Sequence, residues 1–280
     1  MHAAYLRPAK LEEALEALAL RPLTILAGAT DHYPARVGRD PEEAILDLTA
    51  LAPLRGIERS ASGWRIGATT TWTQVIEARL PPLFDALKLA AREVGGVQIQ
   101  NAGTVAGNLC NASPAADGIP ALLALDASVE LASRRGSRAV ALADFLLGPR
   151  KTVRAADELV TAIRVPAPRH PARSHFLKLG ARKYLVISIA MVAIVLEIQD
   201  RTVRAARVAV GACSPVARRL DLLEKELAER PLDEGLVQCV RPEHFHVLQP
   251  IDDVRASAEY RLHAAITLVR RGLEALVGQA

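Results

Sequence analysis

The sequence contains little cysteine, and several familiar ligand-binding motifs are missing from it. Its 280 residues include three cysteines, Cys110, Cys213 and Cys239, and no Cys-x-x-Cys pair. That pattern excludes the usual iron–sulfur or structural zinc site, and three separated cysteines argue against a disulfide framework. No two glycines stand two residues apart, and no glycine precedes a lysine. These absences exclude a GxGxxG dinucleotide fingerprint and a P-loop.

Hydrolase and metalloprotease motifs are absent as well. Neither HExxH nor GxSxG occurs anywhere in the chain. His244 and His246 are separated by one residue, which predicts that both lie on one face of a strand. No clear third ligand completes a metal site with them. We therefore predict no metal site, and we treat His32, which lies in a polar loop, as a surface residue.

Charge and composition restrict the partners of the chain. Aromatic residues make up 4%, and the net charge of +4 comes from dispersed arginines rather than from a basic run. This distribution argues against nucleic-acid binding and fits an anionic ligand or an acidic partner. Three glutamates occupy the first eighteen residues, where a signal peptide needs an apolar core. The longest apolar run, 184–196, is too short for a membrane span and predicts a buried strand, so we expect a cytoplasmic protein.

The pattern of elements predicts an α+β protein in three parts. Residues 1–55 read as a helix followed by short strands, with Leu11, Leu15 and Leu18 at helical spacing. Residues 56–167 mix strands and helices, and a Pro-rich linker follows them. Residues 173–280 contain a hairpin around "QDRT" and a long amphipathic helix.

Two stretches of small residues have the character of anion-binding loops. "AGATD", Ala27 to Asp31, follows a short buried strand, and "GTVAGN" covers Gly103 to Asn108. Small residues let backbone N–H groups approach a diphosphate closely, and glycine permits the turns that align them. Asp117 lies downstream, with Asn111 and Ser113 before it, and its carboxylate suits ribose hydroxyls. Each loop alone also fits a simple tight turn, so the pair carries the prediction.

The second stretch is part of a longer segment that resembles a known family. "QIQNAGTVAGNLCNASPAADGIPALLALDASVEL" is similar to the signature of the FAD-binding medium subunit of molybdenum hydroxylases, the xanthine dehydrogenase and aerobic carbon monoxide dehydrogenase group. "DELVTAIRVP", "FLKLGARKYLVIS" and "PIDDVRASAEYRLHAA" resemble further family segments in family order. The resemblance covers nearly the whole chain. It implies a two-lobed vanillyl-alcohol-oxidase (PCMH)-type FAD-binding domain followed by a C-terminal antiparallel sheet with helices.

The resemblance also implies which residues bind FAD. The two glycine loops would bind the diphosphate, Asp117 the ribose, and Val160 and Lys178 the flavin, while Val94 would pack near the adenine. The family commonly has glycine where this chain has Ala29 and Ala106, so these two positions test the assignment. The full set of expected FAD-binding residues is Ala27, Gly28, Ala29, Thr30, Asp31, Thr104, Val105, Ala106, Gly107, Asn108, Asp117, Val160 and Lys178.

The implied function is electron transfer. In the family that the chain resembles, a large partner subunit carries molybdopterin and oxidises the organic substrate. A small partner subunit carries [2Fe–2S] clusters, and FAD passes electrons to NAD⁺ or another acceptor. The resemblance therefore implies no catalytic residue for the organic substrate on this chain. Two alternatives stay open: a self-contained flavin oxidoreductase using Asp31, His32 or Tyr184, and a non-catalytic scaffold that has lost FAD.

Overall fold

The N-terminal helix forms where leucine spacing predicts it and packs on a small parallel sheet. The computed structural model describes residues 4–38, 43–183 and 185–278. Helix α1 (Leu11–Leu20) buries Ala14, Leu15 and Leu18. The sheet has the order β1-β3-β2, and its strands are parallel. Their bounds are β1 (Tyr5–Leu6), β2 (Thr24–Leu26) and β3 (Ile45–Asp47).

A five-stranded antiparallel sheet forms the centre of the molecule. Its order is β4-β5-β10-β6-β7, so the late strand β10 lies in the middle. Alternating burial along β6 directs Val129 and Leu131 into the core, as period-two patterning requires. The strands are β4 (Ile57–Ser60), β5 (Gly63–Gly67), β6 (Ser128–Ser133), β7 (Gly136–Ala141) and β10 (Leu159–Pro166); β8 (Leu146–Gly148) and β9 (Lys151–Thr152) form a separate pair.

Short helices bring the largest core side chains to this sheet. Trp72, Phe84, Leu87 and Leu122 are fully buried in one apolar cluster with sheet residues. Helix α2 begins after Thr71, whose hydroxyl accepts a hydrogen bond from the Gln74 N–H. The helices are α2 (Trp72–Glu77), α3 (Asp85–Glu93), α4 (Val97–Ala102), α5 (Val105–Asn111), α6 (Gly118–Ala124) and α7 (Leu142–Phe145).

The C-terminal sheet contains the predicted hairpin. Strands β12 and β13 meet at Asp200 and Arg201, which both have positive φ, as a two-residue hairpin turn with the twist of its strands requires. β12 begins at Ala190, so the strand predicted from residue 184 starts later; Tyr184 lies outside the described residues. The strands are β11 (Ala172–Leu179), β12 (Ala190–Gln199), β13 (Thr202–Gly211) and β14 (Arg218–Arg219).

Strand β12 is buried on both faces. Val192, Ile194 and Leu196 belong to a cluster with the C-terminal helices. The alternate residues Met191, Ala193 and Val195 belong to the cluster of the central sheet instead. The C-terminal sheet therefore packs against the core of the central sheet on one face and against the core of the C-terminal helices on the other. Its covering helices are α8 (Asp221–Leu227), α9 (Gly235–Gln238) and α10 (Ala258–Val277).

The histidine pair near the C-terminus does not lie on a strand. Pro242–Phe245 forms a 3-10 helix, and the His244 imidazole is buried beside Glu226, with Nε2 3.0 Å from Oε2. The prediction of a shared strand face is therefore wrong, because the local Pro favours a helical turn. Within the described ranges, no three candidate metal-ligating side chains cluster, and no helix has the length and apolarity to cross a membrane.

Candidate functional site

The first small-residue loop presents a row of backbone N–H groups without protein partners. It follows β2 directly, and the N–H groups of Gly28, Ala29, Thr30 and Asp31 donate no hydrogen bond to any described residue. Ala29 adopts a left-handed backbone, with φ 53°, as a glycine would. Gly28 packs so tightly on Ala102 that an added Cβ would lie 1.9 Å from the Ala102 carbonyl oxygen. The loop therefore has the free donors that an anion needs.

The second small-residue stretch is the start of helix α5. The Thr104 hydroxyl accepts a hydrogen bond from the Gly107 N–H at 3.0 Å, which caps the helix. The Val105 N–H donates to the Thr70 carbonyl at 3.0 Å, so that donor is already satisfied. The Ala106 N–H has no acceptor among the described residues. Ala106 lies in helical backbone, so alanine fits there without strain.

The two loops meet in one cavity of about 1050 Å³. The carboxyl end of β2, the start of α5 and the start of β10 form its walls. Of the expected site residues, Val105, Asp117 and Lys178 do not line it, whereas Val94 does. The expected residues that do line it are Ala27, Gly28, Ala29, Thr30, Asp31, Thr104, Ala106, Gly107, Asn108 and Val160.

An unsatisfied amide marks the inner wall of this cavity. Asn108 Oδ1 is buried and has no hydrogen-bond partner among the described residues. It lies beside Gly118 and the Trp72 ring: an added Cβ on Gly118 would be 3.1 Å from Oδ1 and 2.4 Å from Trp72 Cη2. A buried polar group without a partner costs about 1–3 kcal/mol. A ligand with a hydrogen-bond donor would remove that cost.

Arg150 lies at the mouth of the cavity, and no sequence motif predicted it as a site residue. Its Nη1 donates to Asp31 Oδ2 at 2.7 Å and also to the Asn111 side-chain oxygen. Its own N–H donates to the Ala112 carbonyl at 2.9 Å. Arg150 thus connects the first loop to the end of α5. The side chains of Asp31 and Arg150 are 58% and 60% exposed, so solvent screens this ion pair.

Comparisons with known proteins show which family the chain belongs to and which cofactor that family binds. Residues 1–168 match the family model described as FAD binding domain in molybdopterin dehydrogenase. Residues 175–276 match the CO dehydrogenase flavoprotein C-terminal domain. The chain belongs to the family of FAD-binding medium subunits of molybdenum hydroxylases. FAD is therefore its cofactor, and the family predicted from the sequence motifs is confirmed.

Individual members of the family match the chain end to end. The xanthine dehydrogenase FAD-binding subunit of Escherichia coli O157:H7 is 32% identical over 288 residues, which cover 99% of this chain and 97% of that protein. The glyceraldehyde dehydrogenase medium chain of Sulfolobus acidocaldarius is 29% identical, with 96% of both chains covered. A carbon monoxide dehydrogenase structure from Hydrogenophaga pseudoflava superposes with a TM-score of 0.88 at 26% identity, covering 100% of this chain and 99% of that chain. The predicted fold is confirmed by this match.

The residues of the cavity fit FAD. Free N–H groups in the first loop suit a diphosphate, because they can donate without breaking an existing hydrogen bond. The Asn108 amide supplies an unsatisfied polar group, Arg36, Arg150 and Arg154 add charged ones, and a group of apolar side chains forms part of the wall. These apolar residues suit the faces of aromatic rings. They are Leu26, Ala68, Trp72, Val94, Ile99, Leu159 and Val160.

Asp117 and Lys178 pair with each other away from this cavity. Lys178 Nζ donates to Asp117 Oδ2 at 2.9 Å, and the Ser188 hydroxyl donates to Asp117 Oδ1 at 2.8 Å. Both charged side chains are almost completely buried. Burial raises the pKa of the Asp117 carboxyl, while Lys178 and Ser188 oppose that rise. Lys178 also lines a separate cavity of about 280 Å³ with Glu93, whose carbonyl it contacts at 3.3 Å.

Three reactive side chains of described residues line the FAD cavity: Asp31, His32 and Cys110. His32 Nε2 lies 3.3 Å from Glu43 Oε1, and its ring packs edge-on against Tyr33. Cys110 lines the cavity as an exposed residue, and desolvation by the protein around its thiol still raises the pKa of that thiol. The thiol is therefore protonated at neutral pH and is a poor nucleophile. The Asp31 carboxylate forms an ion pair with the Arg150 guanidinium.

Proposed function

We propose that this chain is the electron-transfer subunit of a molybdopterin-dependent hydroxylase or dehydrogenase complex. It would accept electrons from [2Fe–2S] clusters of a small partner subunit, and FAD would pass them to NAD⁺ or another acceptor. Bound FAD supplies a ring system that exchanges electrons one or two at a time. The supporting observation is a cavity with free N–H donors and an apolar wall, in a chain whose first 168 residues match the FAD-binding family model.

Both loops would donate backbone hydrogen bonds to the FAD diphosphate. The four free N–H groups of Gly28 to Asp31 would donate to its oxygens, and the Ala106 N–H would add a donor from the start of α5. Backbone donors are fixed by the fold, so they lose little entropy when the anion binds. Thr104 would act indirectly, because its hydroxyl holds the Gly107 N–H and keeps α5 capped.

The apolar wall would orient the flavin and exclude water from it. Val160 lies near the start of β10, the middle strand of the central sheet, and pairs with Leu131 of β6. Backbone movement is restricted there. Trp72 is buried behind Gly118 and gives the inner wall a rigid surface. A rigid apolar wall favours one ring orientation, since other orientations would leave gaps. Asp117 stays the proposed ribose-contacting residue and Lys178 the proposed flavin-side residue, and the two are joined by an ion pair.

The organic substrate would be oxidised on the large partner subunit, which carries molybdopterin. The relatives named above are subunits of enzymes for xanthine, glyceraldehyde and carbon monoxide. Such different substrates share one type of FAD subunit, so the specificity of this complex would also reside on another chain. Asp31 pairs with Arg150, so His32, whose Nε2 lies 3.3 Å from Glu43 Oε1, is the acid–base group that a self-contained oxidoreductase would use. A cytoplasmic location is part of this proposal.

The test is to purify the tagged full chain from its source cells under mild conditions. We expect flavin, molybdenum and iron to elute with it, and NAD⁺ reduction to require the complex. Turnover of an organic substrate by the chain alone would favour the self-contained oxidoreductase. A chain that neither contains nor takes up FAD would instead indicate a scaffold.

A further inference from the structure

A second large cavity lies at the opposite end of the central sheet from the FAD cavity. We call it the basic cleft; its volume is about 1010 Å³. β10 starts at Leu159 in the FAD cavity and ends beside Ala167 in the basic cleft, a path of about 25 Å at 3.3 Å per residue. Its lining comes from β4, β5, the linker after β10 and the start of β11, among other segments, and includes Arg59, Trp64, Arg79, Leu83, Arg169 and Leu232.

The charge of the basic cleft is of one sign. Five arginines and one histidine line it, and no lining residue within the described part of the chain is acidic. The guanidinium groups of Arg59, Arg79 and Arg169 make no hydrogen bond or ion pair with described residues, and that of Arg59 lies over the Trp64 ring, 5.6 Å from its centroid. By contrast, arginines such as Arg138 and Arg219 form close carboxylate pairs. Unpaired like charges around one concave surface attract an anionic partner.

The linker that forms one side of the basic cleft is held in place. The N–H groups of Arg169 and His170 both donate to Glu197 Oε2, at 3.0 and 3.1 Å. Glu197 is buried and pairs with Arg207 through its other oxygen at 2.8 Å. The Ala167 N–H donates to the Ser62 carbonyl at 3.0 Å. This fixed linker presents the arginine side chains without a large ordering cost on binding.

The floor of the basic cleft is apolar, and its charges stand at the rim. Trp64, Leu83 and Leu232 are buried below the exposed side chains of Arg59, Arg79 and Arg169. An apolar centre with a charged rim is the anatomy of a protein–protein interface. A site for a small anion would instead direct buried donors at one point, and the arginines here are spread around the rim. The favoured occupant is therefore a polypeptide.

We propose that the basic cleft docks an acidic, extended segment of a partner subunit. The segment places apolar side chains on the floor and carboxylates against the arginine rim. Because the basic cleft shares no lining residue with the FAD cavity, the docked segment leaves FAD accessible to its electron acceptor. The proposal rests on the proposed function, since it assigns the segment to that multi-subunit complex.

The main test reverses the rim charge in the full chain expressed in its source cells. The test variant carries Arg59→Glu, Arg79→Glu and Arg169→Glu. The control carries Arg21→Glu, Arg218→Glu and Arg271→Glu, three exposed arginines without ion pairs to described residues and with the same total charge change. Molybdenum, iron and flavin per chain are measured after mild purification.

We expect the test variant to lose molybdenum and iron by about tenfold relative to the control, as loss of complementary charge weakens association. Flavin per chain should be the same in both variants, which shows that the chain still folds. Equal molybdenum and iron in the two variants would overturn the docking surface alone. A wild-type preparation without either metal would overturn the proposed complex and, with it, the docking surface.

Cross-linking identifies the occupant directly. In the complex with Arg169→Lys, a carbodiimide should couple the new amine to an Asp or Glu of a partner, located by mass spectrometry. Coupling only within this chain would contradict the proposal. Inorganic pyrophosphate is titrated into the flavin-loaded chain in parallel. Micromolar binding that the triple cleft variant abolishes, with metal content unchanged, would reassign the basic cleft to a small anion.

Discussion

The two loops of the proposed FAD cavity would both offer backbone N–H groups to the diphosphate, but their backbone conformations differ. The first leaves four N–H groups free and holds Ala29 in a left-handed conformation. The second is an ordinary helix start in which the Gly107 N–H donates to the Thr104 hydroxyl and the Val105 N–H to the Thr70 carbonyl, so that the Ala106 N–H stays free. A family glycine is replaced by alanine in both loops, yet only Ala29 carries strain. The free-energy cost of replacing a glycine by alanine is therefore set by the backbone conformation at that position, and a glycine in a sequence motif does not by itself indicate such a cost.

The largest expected effect breaks the first loop. In Gly28→Ala, the new Cβ would lie 1.9 Å from the Ala102 carbonyl oxygen, and neither backbone can move aside cheaply. We expect a loss of about 3 kcal/mol in the free energy of unfolding, at the upper range for overpacking, and loss of most bound flavin. Urea denaturation and visible flavin absorbance measure the two effects.

Gly148→Ala is the control for that substitution, because an added Cβ there meets no atom within 4 Å. It should retain both flavin and stability. If Gly28→Ala behaved like the control, the close contact between the first loop and Ala102 would be incorrect.

The second loop should depend on its cap. Thr104→Val keeps the side-chain volume but removes the hydroxyl that accepts from the Gly107 N–H. We expect a loss of about 1–2 kcal/mol in the free energy of unfolding, with weaker flavin binding, because α5 frays at its first turn. Thr104→Ser, which keeps the hydroxyl, should recover most of the loss. Equal stability of the valine and serine variants would exclude the cap as the reason for threonine.

Restoring glycine should have opposite effects in the two loops. Ala29→Gly relieves a left-handed alanine and should raise the free energy of unfolding by about 0.5–1 kcal/mol. Ala106→Gly places glycine inside a helix and should lower it by about 1 kcal/mol. Thermal and urea denaturation of the two variants give the signs. The same sign at both positions would remove the contrast between the loops.

The smallest expected effect concerns Arg150, which connects the first loop to the end of α5. Arg150→Gln removes an exposed ion pair with Asp31, and we expect less than about 1 kcal/mol in flavin affinity. A double-mutant cycle with Asp31→Asn measures the coupling, which should shrink as salt is added. A loss of several kcal/mol from Arg150→Gln that persists in the Asp31→Asn background would mean that Arg150 binds the cofactor itself.

Local patterns predicted much of the fold. Leucine spacing located α1, and the "QDRT" turn located the β12–β13 hairpin, because both signals act within a few residues. The strand expected from residue 184 began at Ala190. Its first part was apolar enough for a strand, but Ile187 is exposed and Ser188 turns inward to Asp117. Hydrophobicity alone does not distinguish these environments.

Long-range pairing explains what the sequence could not reveal about the site. Asp117 and Lys178 were separately predicted near the cofactor, and nothing local indicates that they pair across 61 positions. Arg150 was missed because no motif contains it, although it contacts a loop 119 positions away. The exact FAD contacts stay predictions, as do the boundaries at residues 55 and 167.

Because β12 is buried on both faces, the stabilities of the two family regions depend on each other. Removing the C-terminal region would strip Met191, Ala193 and Val195 from the core of the FAD-binding part. Separating the regions would therefore expose apolar surface on both fragments at once. We expect the chain to melt in one cooperative transition, despite carrying two family domains. Evolution could then vary the two regions in sequence, but it could not easily exchange one without the other.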